Sequence, residues 1–424
     1  MRTNFPHIRL RWHRVGSATA VTAALVLAGF GTAVHADATT SSKVTWAATP
    51  CATPKKTGEL ACNSLRVTGG TTAFQKARGI TPKAADAATP SGYGPSDLQS
   101  AYGLTSASAS NGSGETIAIV DAYNDPNAEA DLAKYRSYYG LPACTSASGC
   151  FKKVSQTGST TSLPTSDAGW SEEISLDLDM VSAIAPNAKI LLVEAKSATM
   201  ANLGKAVNEA VTLGAKFVSN SYGGSESSSD TSYDSSYFNH PGVAITVSAG
   251  DEGYGAEYPA ASKYVTSVGG TALSTSATTR GWTETVWKTS STEGTGSGCS
   301  SYDAKPSWQT DTGCTKRMIS DVSAVADPAT GVSVYDSYGV TAGWYTFGGT
   351  SASSPIIAAV YALAGTPGSS DYPAQYPYAH TSSLNDVTSG NNGSCSTSYF
   401  CTATSGYDGP TGLGTPKGVS AFTG

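Results

Sequence analysis

Charged side chains are scarce in this chain: Asp, Glu, Lys and Arg make up 14% of its 424 residues, against about 25% in average globular domains. After residue 14 no run is rich in Lys or Arg, and the formal net charge is −6, which argues against a nucleic-acid-binding protein. The lack of heptads and of fixed-period repeats excludes a coiled coil and a solenoid. Aromatic residues reach 9%, enough for a large apolar core.

The first 36 residues have the composition of a secretory signal peptide. Four arginines precede an apolar stretch, residues 18–34, and Val34-His35-Ala36 offers a small-x-small cleavage pattern. A membrane anchor is the alternative, but the stretch is short and rich in Gly, Ala and Thr. We therefore expect residues 1–36 to be removed and the protein to be secreted, with no membrane partner.

Eight cysteines, an even number, fall into neighbouring pairs along the chain. The pairs are Cys51/Cys62, Cys144/Cys150, Cys299/Cys314 and Cys395/Cys401. In an oxidising compartment this spacing favours four local disulfides, although sequence alone does not determine connectivity. Zinc binding is the competing interpretation, but Cys-x-x-Cys is missing and His is scarce.

The composition changes near residue 90. Residues 37–90 are rich in Ala, Thr and Lys with little apolar periodicity, and we predict a short leader or pro-segment there. From residue 91 onward predicted strands alternate with predicted helices. The strands lie at 116–121, 188–194, 217–218 and 243–247, and the helices near 127–139 and 201–213. This alternation predicts an α/β fold whose parallel sheet has helices on both faces, with any site at the carboxyl ends of the strands.

A Gly-rich turn before an apolar helix offers a candidate nucleophile, Ser351, within Gly348-Gly-Thr-Ser-Ala-Ser-Ser-Pro355. Free N–H groups and the helix dipole at such a position would stabilise an oxyanion, whereas an N-capping turn is the structural alternative. A serine nucleophile needs a base. Only His240 and His380 follow residue 36, and neither lies in the strand–helix context of a Ser-His-Asp triad.

A carboxylate can replace histidine as the base where its pKa suits the pH. Glu173 and Asp177 are four residues apart and share one face of a helix predicted to begin at Ser171. The apolar face of that helix is predicted to consist of Ile174, Leu178, Val181 and Ala185. A solvated acidic face that interacts with the helix dipole is the alternative. A third acid, Asp251, follows a predicted strand in Val-Ser-Ala-Gly-Asp.

The segments around Ser351, around Glu173 and Asp177, and around Asp251 resemble the motifs of the sedolisins, the serine-carboxyl peptidases of the subtilisin clan. The resemblance covers about residues 92–424 and implies a subtilisin-like sheet and peptide-bond hydrolysis. It implies that Ser351 attacks the carbonyl, Glu173 is the general base, Asp177 orients it, and a neutral Asp251 stabilises the oxyanion. A neutral Asp251 beside an ionised Glu173 predicts activity at acid pH.

Two further segments resemble sedolisin motifs. Residues 219–226 look like the family's substrate-binding strand, so Ser219, Ser221 and Gly223 are expected to contact the substrate backbone. The C-terminal segment looks like the family's calcium site, which implies one Ca²⁺ held by two carboxylates and three backbone carbonyls. Its implied ligands are Asp386, Val387, Thr404, Gly406 and Asp408, and the family usually has Gly where Thr404 stands.

Two alternatives stay open at this point. A subtilisin-type enzyme would use Asp121, which follows the first strand, with His240 as its base. A secreted binding module on an inactive peptidase scaffold would need none of the four catalytic residues. The preferred interpretation is a monomer that acts on proteins or peptides, in an endopeptidase or a tripeptidyl-peptidase mode. The family's pro-domain is commonly a large folded unit, so the short leader predicts either a different route of self-inhibition and maturation or a leader that is only a remnant of such a unit.

Overall fold

The computed structural model of the protein describes residues 45–46, 50–56, 58–80 and 88–424. The predicted signal peptide, residues 1–36, and parts of the predicted leader lie outside the described residues. All described residues belong to one unit that spans residues 42–424. None of the helices in these ranges is both long and apolar enough to cross a membrane.

Twenty strands occur in the described part of the chain, and most are short. They are β1 (Thr45–Trp46), β2 (Ala61–Cys62), β3 (Leu65–Gly69), β4 (Thr116–Ala122), β5 (Phe151–Ser155), β6 (Lys189–Ala195), β7 (Phe217–Asn220), β8 (Tyr222–Ser225), β9 (Ala244–Ser248), β10 (Glu252–Tyr254), β11 (Glu257–Tyr258), β12 (Thr266–Thr275), β13 (Trp282–Val286), β14 (Gly294–Ala304), β15 (Lys316–Ile319), β16 (Val322–Val325), β17 (Val332–Asp336), β18 (Gly343–Gly348), β19 (Leu384–Asn385) and β20 (Thr415–Pro416).

Nine α-helices occur in the same described ranges. They are α1 (Ala73–Ala77), α2 (Pro95–Ala101), α3 (Thr105–Ser110), α4 (Ala128–Tyr138), α5 (Ala168–Ile184), α6 (Met200–Thr212), α7 (Asp230–Tyr233), α8 (Thr350–Ala364) and α9 (Tyr376–Ala379). One turn of π-helix, Asp234–Phe238, continues α7.

The central sheet has eight strands, in the order β13-β12-β9-β7-β4-β6-β5, with β16 paired to β12. Its strands are parallel except β13, which runs antiparallel to β12. The predicted parallel α/β sheet is therefore confirmed, and the predicted strands and helices differ from the observed ones by one or two residues at most ends.

Side chains of β4 alternate between two separate apolar cores. Ile117 and Ile119 pack on the face that is covered by α4, α5 and α8, whereas Ala118 and Val120 pack on the face that carries α6. Because successive residues of a strand point to opposite faces, burial of both sets requires helices on both sides of the sheet. The carboxyl end of β4 lies between these two layers.

Helix α5 is buried along its length, from Trp170 to Ile184. It begins at Ala168, three residues before the predicted start at Ser171, because the Asp167 side chain caps it by accepting a hydrogen bond from the Trp170 N–H at 3.0 Å. The predicted apolar face is buried, but so are all four acids of the helix. A solvated acidic face is therefore the wrong description of this helix.

The four cysteine pairs expected from spacing are all formed. They are Cys51–Cys62, Cys144–Cys150, Cys299–Cys314 and Cys395–Cys401. The first of them lies in the predicted leader, which is also more structured than its lack of periodicity suggested. Its described residues contribute β2, β3 and α1, and both strands pair with the rest of the fold.

Buried carboxyl groups predict that the folded protein is most stable at acid pH. Burial raises the pKa of Asp125 and of Glu194 to about 7 and that of Asp336 to about 6, whereas unfolded Asp and Glu titrate near pH 4. Between these values the folded state binds more protons than the unfolded state, so stability is full below about pH 4 and falls as the pH rises toward 7.

We expect the free energy of unfolding in urea to be roughly 3 kcal/mol or more smaller near pH 7 than near pH 4. The measurement is best made on Ser351→Ala to prevent self-digestion. The Asp125→Asn variant, which removes one titrating carboxyl, should show a shallower pH dependence. Stability that rises over this pH range would contradict the prediction.

Candidate active site

Ser351 is the second residue of α8. Its N–H and its hydroxyl each donate a hydrogen bond to a backbone carbonyl oxygen of another segment. Its N–H donates to the carbonyl oxygen of Asn63 at 2.8 Å, and its Oγ donates to the carbonyl oxygen of Ser221 at 3.1 Å. Pro355 has no N–H to bond the Ser351 carbonyl four residues earlier. That carbonyl instead accepts a hydrogen bond from Ser221 Oγ at 3.4 Å.

Gly349, the residue that precedes α8, needs to be glycine for two reasons. Its φ of +93° is strained for any residue with a side chain. A Cβ there would also lie 2.3 Å from the Asn63 carbonyl oxygen and 2.6 Å from Asp251 Oδ2. These two oxygens therefore lie on the same side of the Gly-rich turn, next to the N-terminus of α8.

Glu173 is fully buried, and neither of its carboxylate oxygens has a hydrogen-bond partner. Burial raises its pKa well above the usual value, and the Asp121 carboxyl raises it further. The nearby hydroxyl groups of Ser351 and Ser64 oppose these effects and lower the Glu173 pKa, although neither makes a hydrogen bond to the carboxyl group in this structure.

Asp177 lies one helical turn after Glu173 and accepts hydrogen bonds from Ser221 Oγ at 2.9 and 2.7 Å. Burial raises its pKa well above the usual value, and Asp121 and Glu173 add to the shift. Asp121, at the end of β4, has a pKa of about 8, raised by burial and then by Glu194. The three carboxyl groups titrate together, because each ionised member disfavours ionisation of the others.

The other two acids of α5 have separate partners. Glu172 forms an ion pair with Arg66 at 3.0 Å, and Asp179 accepts a hydrogen bond from the backbone N–H of Tyr335 at 3.0 Å. Helical periodicity therefore turns Glu173 and Asp177 toward Ser351 and the neighbouring pair of acids away from it.

Asp251 follows β9 and faces the Gly-rich turn. Its Oδ1 accepts hydrogen bonds from the N–H and the hydroxyl of Thr350, both at 2.8 Å. Its Oδ2 is buried without a partner. Burial, followed by the neighbouring Glu252, raises the pKa of Asp251 well above its usual value. A protonated Asp251 can donate a hydrogen bond from Oδ2 toward the position of the Asn63 oxygen.

Of the predicted substrate-binding residues, Ser221 lies beside Ser351, Gly223 lies next to the side chain of Asn63, and Ser219 lies away from Ser351. The Ser219 hydroxyl meets Ser354 Oγ at 3.1 Å beneath α8, because it lies on the inner strand β7. Gly223 lies on β8, whose edge pairs antiparallel with Ala61 and Cys62 of β2.

Residues of the N-terminal segment thus occupy the edge that a substrate strand would use. The segment is also held from a second side. The Leu60 N–H donates to the carbonyl of Ala198 at 2.8 Å, and the Met200 N–H donates to the carbonyl of Gly58 at 2.9 Å. The leader therefore lies between two backbone segments of the larger part of the fold.

Sequence reasoning missed Asn63 and the polar pocket that receives its side chain. Asn63 Nδ2 donates to Ser248 Oγ at 3.0 Å, and Asn63 lowers the pKa of the half-buried Glu257, which desolvation raises well above its usual value. The sequence signals were weak, since a single Asn after Cys62 in a polar leader has no distinctive pattern. Asp121 was noticed, but as part of a histidine triad rather than as a neighbour of Glu173.

The two histidines among the described residues have partners other than Ser351. His240 Nε2 pairs with Asn208 Oδ1 of α6 at 2.8 Å, and burial lowers the His240 pKa. His380 Nδ1 lies 3.1 Å from the backbone oxygen of Tyr376 in α9. Neither forms a hydrogen bond with Ser351 within the described part of the chain, so the geometry offers no support for a histidine base.

Four of the predicted metal ligands are joined in two pairs in the C-terminal loops. The N–H groups of Gly406 and Thr404 donate to Asp386 and Asp408, each at 2.9 Å. Burial raises the pKa of Asp408 to about 7, with a smaller contribution from the Asp386 charge, while the hydrogen bonds from Thr404 and Thr411 oppose this rise. Among the described residues none donates a hydrogen bond to the carbonyls of Val387, Thr404 or Gly406. Carboxylates with free carbonyls are a donor set that fits a hard cation.

A second acidic group lies apart from these loops. Single carboxylate oxygens of Glu226, Asp230 and Asp303 all lie within 4.8 Å of one another. Glu226 accepts hydrogen bonds from the Ser300 hydroxyl and the Ser301 N–H. It shares no residue with the predicted metal ligands.

The family model of the subtilase family matches residues 154–396, more than half of the chain. Kumamolisin of Bacillus sp. (strain MN-32) is 33% identical over 378 residues, which cover 81% of this chain and 66% of kumamolisin. Sedolisin of Pseudomonas sp. (strain 101) is 29% identical over 409 residues, 86% of this chain and 67% of sedolisin. The chain thus spans about two thirds of the length of these relatives.

The solved structure of Pseudomonas sedolisin, a serine-carboxyl proteinase complexed with two molecules of pseudo-iodotyrostatin, has a similar fold. The TM-score is 0.65 at 27% sequence identity, over 78% of this chain and 96% of that one. By its family model, its relatives and its fold, the chain belongs to the subtilase family and, within it, to the sedolisins.

Proposed function

We propose that the protein is a secreted serine-carboxyl peptidase that hydrolyses peptide bonds of proteins or peptides at acid pH. One observation carries the proposal: the Ser351 N–H donates to a peptide carbonyl oxygen, that of Asn63, and the unpartnered Oδ2 of Asp251 lies on the same side of the turn. Two donors aimed at one carbonyl oxygen form the arrangement that stabilises a tetrahedral oxyanion.

Each of the four proposed catalytic side chains has a separate role in the reaction. Ser351 Oγ attacks the carbonyl carbon, and Glu173, which lies beside that hydroxyl, takes its proton and later gives it to the leaving amine. Asp177 stabilises the charge on Glu173 by sharing a proton with it and is held by Ser221. Asp251 supports the oxyanion only while protonated, so activity requires a pH at which Asp251 is neutral and Glu173 ionises in part.

Two further features belong to the proposal. Four disulfides favour export to an oxidising compartment. A calcium ion would be held by Asp386 and Asp408 together with the free carbonyls of Val387, Thr404 and Gly406, where it would link two loops. The resident N-terminal segment would keep the intact chain inactive, because it blocks the substrate edge of β8.

Casein hydrolysis from about pH 3 to 9 tests the catalytic assignment, after incubation near pH 4 to allow self-processing. We expect activity on the acid side alone, and a loss of about 10⁴-fold or more in Ser351→Ala and in Glu173→Gln, because each removes a group that acts on the reacting atoms. Glu172→Gln is the matched control, since Glu172 pairs with Arg66, and it should keep most of the activity.

Other outcomes would favour the alternatives. Activity above pH 7 that survives Glu173→Gln and disappears in His240→Ala would support a subtilisin-type triad. No turnover at any pH, with Ser351→Ala behaving like the wild type, would support a binding module. Either result overturns the carboxylate mechanism.

The Asp251→Asn variant tests the neutral oxyanion donor. An amide donates a hydrogen bond at every pH, whereas a carboxyl donates only when protonated. We expect the upper pH limit of kcat/KM to move to higher pH in Asp251→Asn. Asp251→Ala should lose about 10²–10³-fold in kcat at the wild-type optimum. An unchanged upper limit in Asp251→Asn would mean that another group sets it.

Thermal unfolding with a calcium chelator tests the cation site. Removal of bound calcium should lower the Tm of Ser351→Ala by about 5 °C, since a ligand at 100 times its Kd stabilises by about 2.7 kcal/mol. The double variant Ser351→Ala/Asp386→Asn should start lower and respond little to the chelator. The double variant Ser351→Ala/Glu115→Gln, which changes an acid outside the predicted ligand set, should respond like its parent. Equal chelator responses in all three proteins would exclude these ligands.

A further inference from the structure

A bulge in β14 carries a buried carboxyl group that has no partner. The register between β14 and β15 shifts between Cys299 and Ala304, so residues 300–303 form the bulge. Bulges often lie next to functional sites, where they redirect a side chain. Asp303 belongs to this bulge and is 1% exposed, and neither oxygen of its carboxyl group has a hydrogen-bond partner in the described part of the chain. Buried carboxylates are as a rule paired or bound to a metal ion.

Two further carboxyl groups face Asp303. One oxygen each of Glu226, Asp230 and Asp303 lies within 4.8 Å of the other two. Ligands of a Ca²⁺ ion lie about 2.3–2.6 Å from it, so two ligands of the same ion are at most about 5 Å apart. The three carboxyl groups are therefore close enough to bind one ion of this size together.

Hydrogen bonds from neighbouring groups orient two of these carboxyl groups. The Ser300 hydroxyl donates to Glu226 and also accepts a hydrogen bond from the Asp303 N–H at 2.7 Å, so one hydroxyl connects Glu226 to the bulge. The hydroxyl and the N–H of Ser227 donate to the two oxygens of Asp230 at 2.8 and 2.7 Å. Carboxylate ligands of metal ions are typically oriented by hydrogen bonds of this kind.

No basic side chain in the described ranges forms an ion pair with any of the three acids. Lys316 acts electrostatically on Glu226, but its Nζ donates to the carbonyl oxygen of Tyr302 at 3.0 Å. Lys263 acts in the same way on Asp234, a fourth carboxyl group close to Asp303. The described part of the chain therefore places several acids together and supplies no paired cation for them.

From these observations we propose that Glu226, Asp230 and Asp303 bind a second Ca²⁺, separate from the ion proposed for the C-terminal loops. Three carboxylate oxygens suit a hard divalent cation, and water completes the coordination where the half-buried Glu226 meets solvent. With so few protein ligands, we expect a Kd of about 10⁻⁴–10⁻³ M, as in extracellular calcium modules. The alternative is a proton shared between Asp303 and the nearby Asp234.

The ion would connect segments that are distant in sequence. Glu226 directly follows β8, Asp230 is the first residue of α7, and Asp303 lies near the end of β14. A ligand shared by three such segments stabilises the folded chain, because the unfolded chain does not hold the three carboxylates together. This role does not depend on the reaction proposed for Ser351.

Calcium titration of the full-length chain after chelator treatment tests the site. The parent is Ser351→Ala/Asp386→Asn, which cannot digest itself and has an impaired C-terminal ligand set. Near pH 7.5, about 10 mM calcium should raise its Tm by about 3 °C relative to KCl at the same ionic strength. Isothermal titration calorimetry should give the Kd. Addition of Asp303→Asn should weaken calcium binding at least about tenfold, because one of three ligand charges is lost.

A matched pair of variants in the same parent separates this site from general surface charge. Glu226→Gln should abolish the rise in Tm that calcium causes. Glu115→Gln makes the same chemical change at an acid that accepts a hydrogen bond from Thr366, and it should keep the rise. Without calcium, the Asp303→Asn protein should unfold at a Tm no lower than that of its parent, because it lacks one unpaired buried carboxyl group. This last measurement distinguishes a lost ligand from a general folding defect.

Three results would overturn the second calcium site. The first is a parent whose Tm does not respond to calcium, which would leave the shared proton as the explanation for Asp303. The second is an equal calcium response in the parent and in the Asp303→Asn protein. The third is loss of the response in Glu115→Gln, which would indicate general screening of surface charge. None of these measurements uses turnover, so they remain decisive whether or not the peptidase assignment holds.

Discussion

The site depends on one physical constraint, which is that its carboxyl groups are buried without a positively charged side chain as partner. Glu173, Asp177 and Asp121 lie together, and Asp251 lies across the cleft, and burial is the first cause of each raised pKa. Exclusion of water makes ionisation of any one of them costly. The fold can keep such groups only by keeping most of them protonated. The proposed acid chemistry and the predicted acid stability therefore share one physical cause, the burial of carboxyl groups.

Elsewhere in the core a buried acid is paired with a buried arginine. Arg317 donates to both oxygens of Asp321, at 2.7 and 2.5 Å, and Tyr378 OH donates to the same carboxylate at 2.6 Å. Fully hydrogen-bonded pairs of this kind tolerate burial, whereas removal of one partner leaves an uncompensated charge. Buried carboxyl groups thus occur in this fold both with and without a cationic partner, and those near Ser351 belong to the second group.

Much of the fold and part of the site could be predicted from sequence, because those signals are local. Strand–helix alternation predicted the parallel sheet, neighbouring cysteines predicted the disulfides, and the four-residue step predicted that Glu173 and Asp177 share a face. Helix α5 began earlier than predicted, since Gly169 in its first turn hid the capping role of Asp167. The Ser219 side chain lies beneath α8 because β7 is an inner strand of the sheet. No local sequence pattern predicts that position.

The path of the leader could not be predicted, since β2 and β3 form only against strands far away in sequence. Strand β2 pairs with β8, and β3 pairs with β18. Because neither strand forms a core of its own, their residues show no hydrophobic periodicity. Local sequence patterns predict secondary structure from the residues of the segment alone. They contain little about a segment whose structure is imposed by the cleft it enters.

The ring closed by Cys51 and Cys62 spans a sequence separation of 11 and ends one residue before Asn63. A closed ring has fewer conformations to lose than a linear peptide when it binds, so less of its contact energy is spent on ordering. The N-terminal side of the cleft is therefore filled by a pre-shaped ligand. Any external peptide must therefore displace a segment that already occupies the cleft in an ordered conformation.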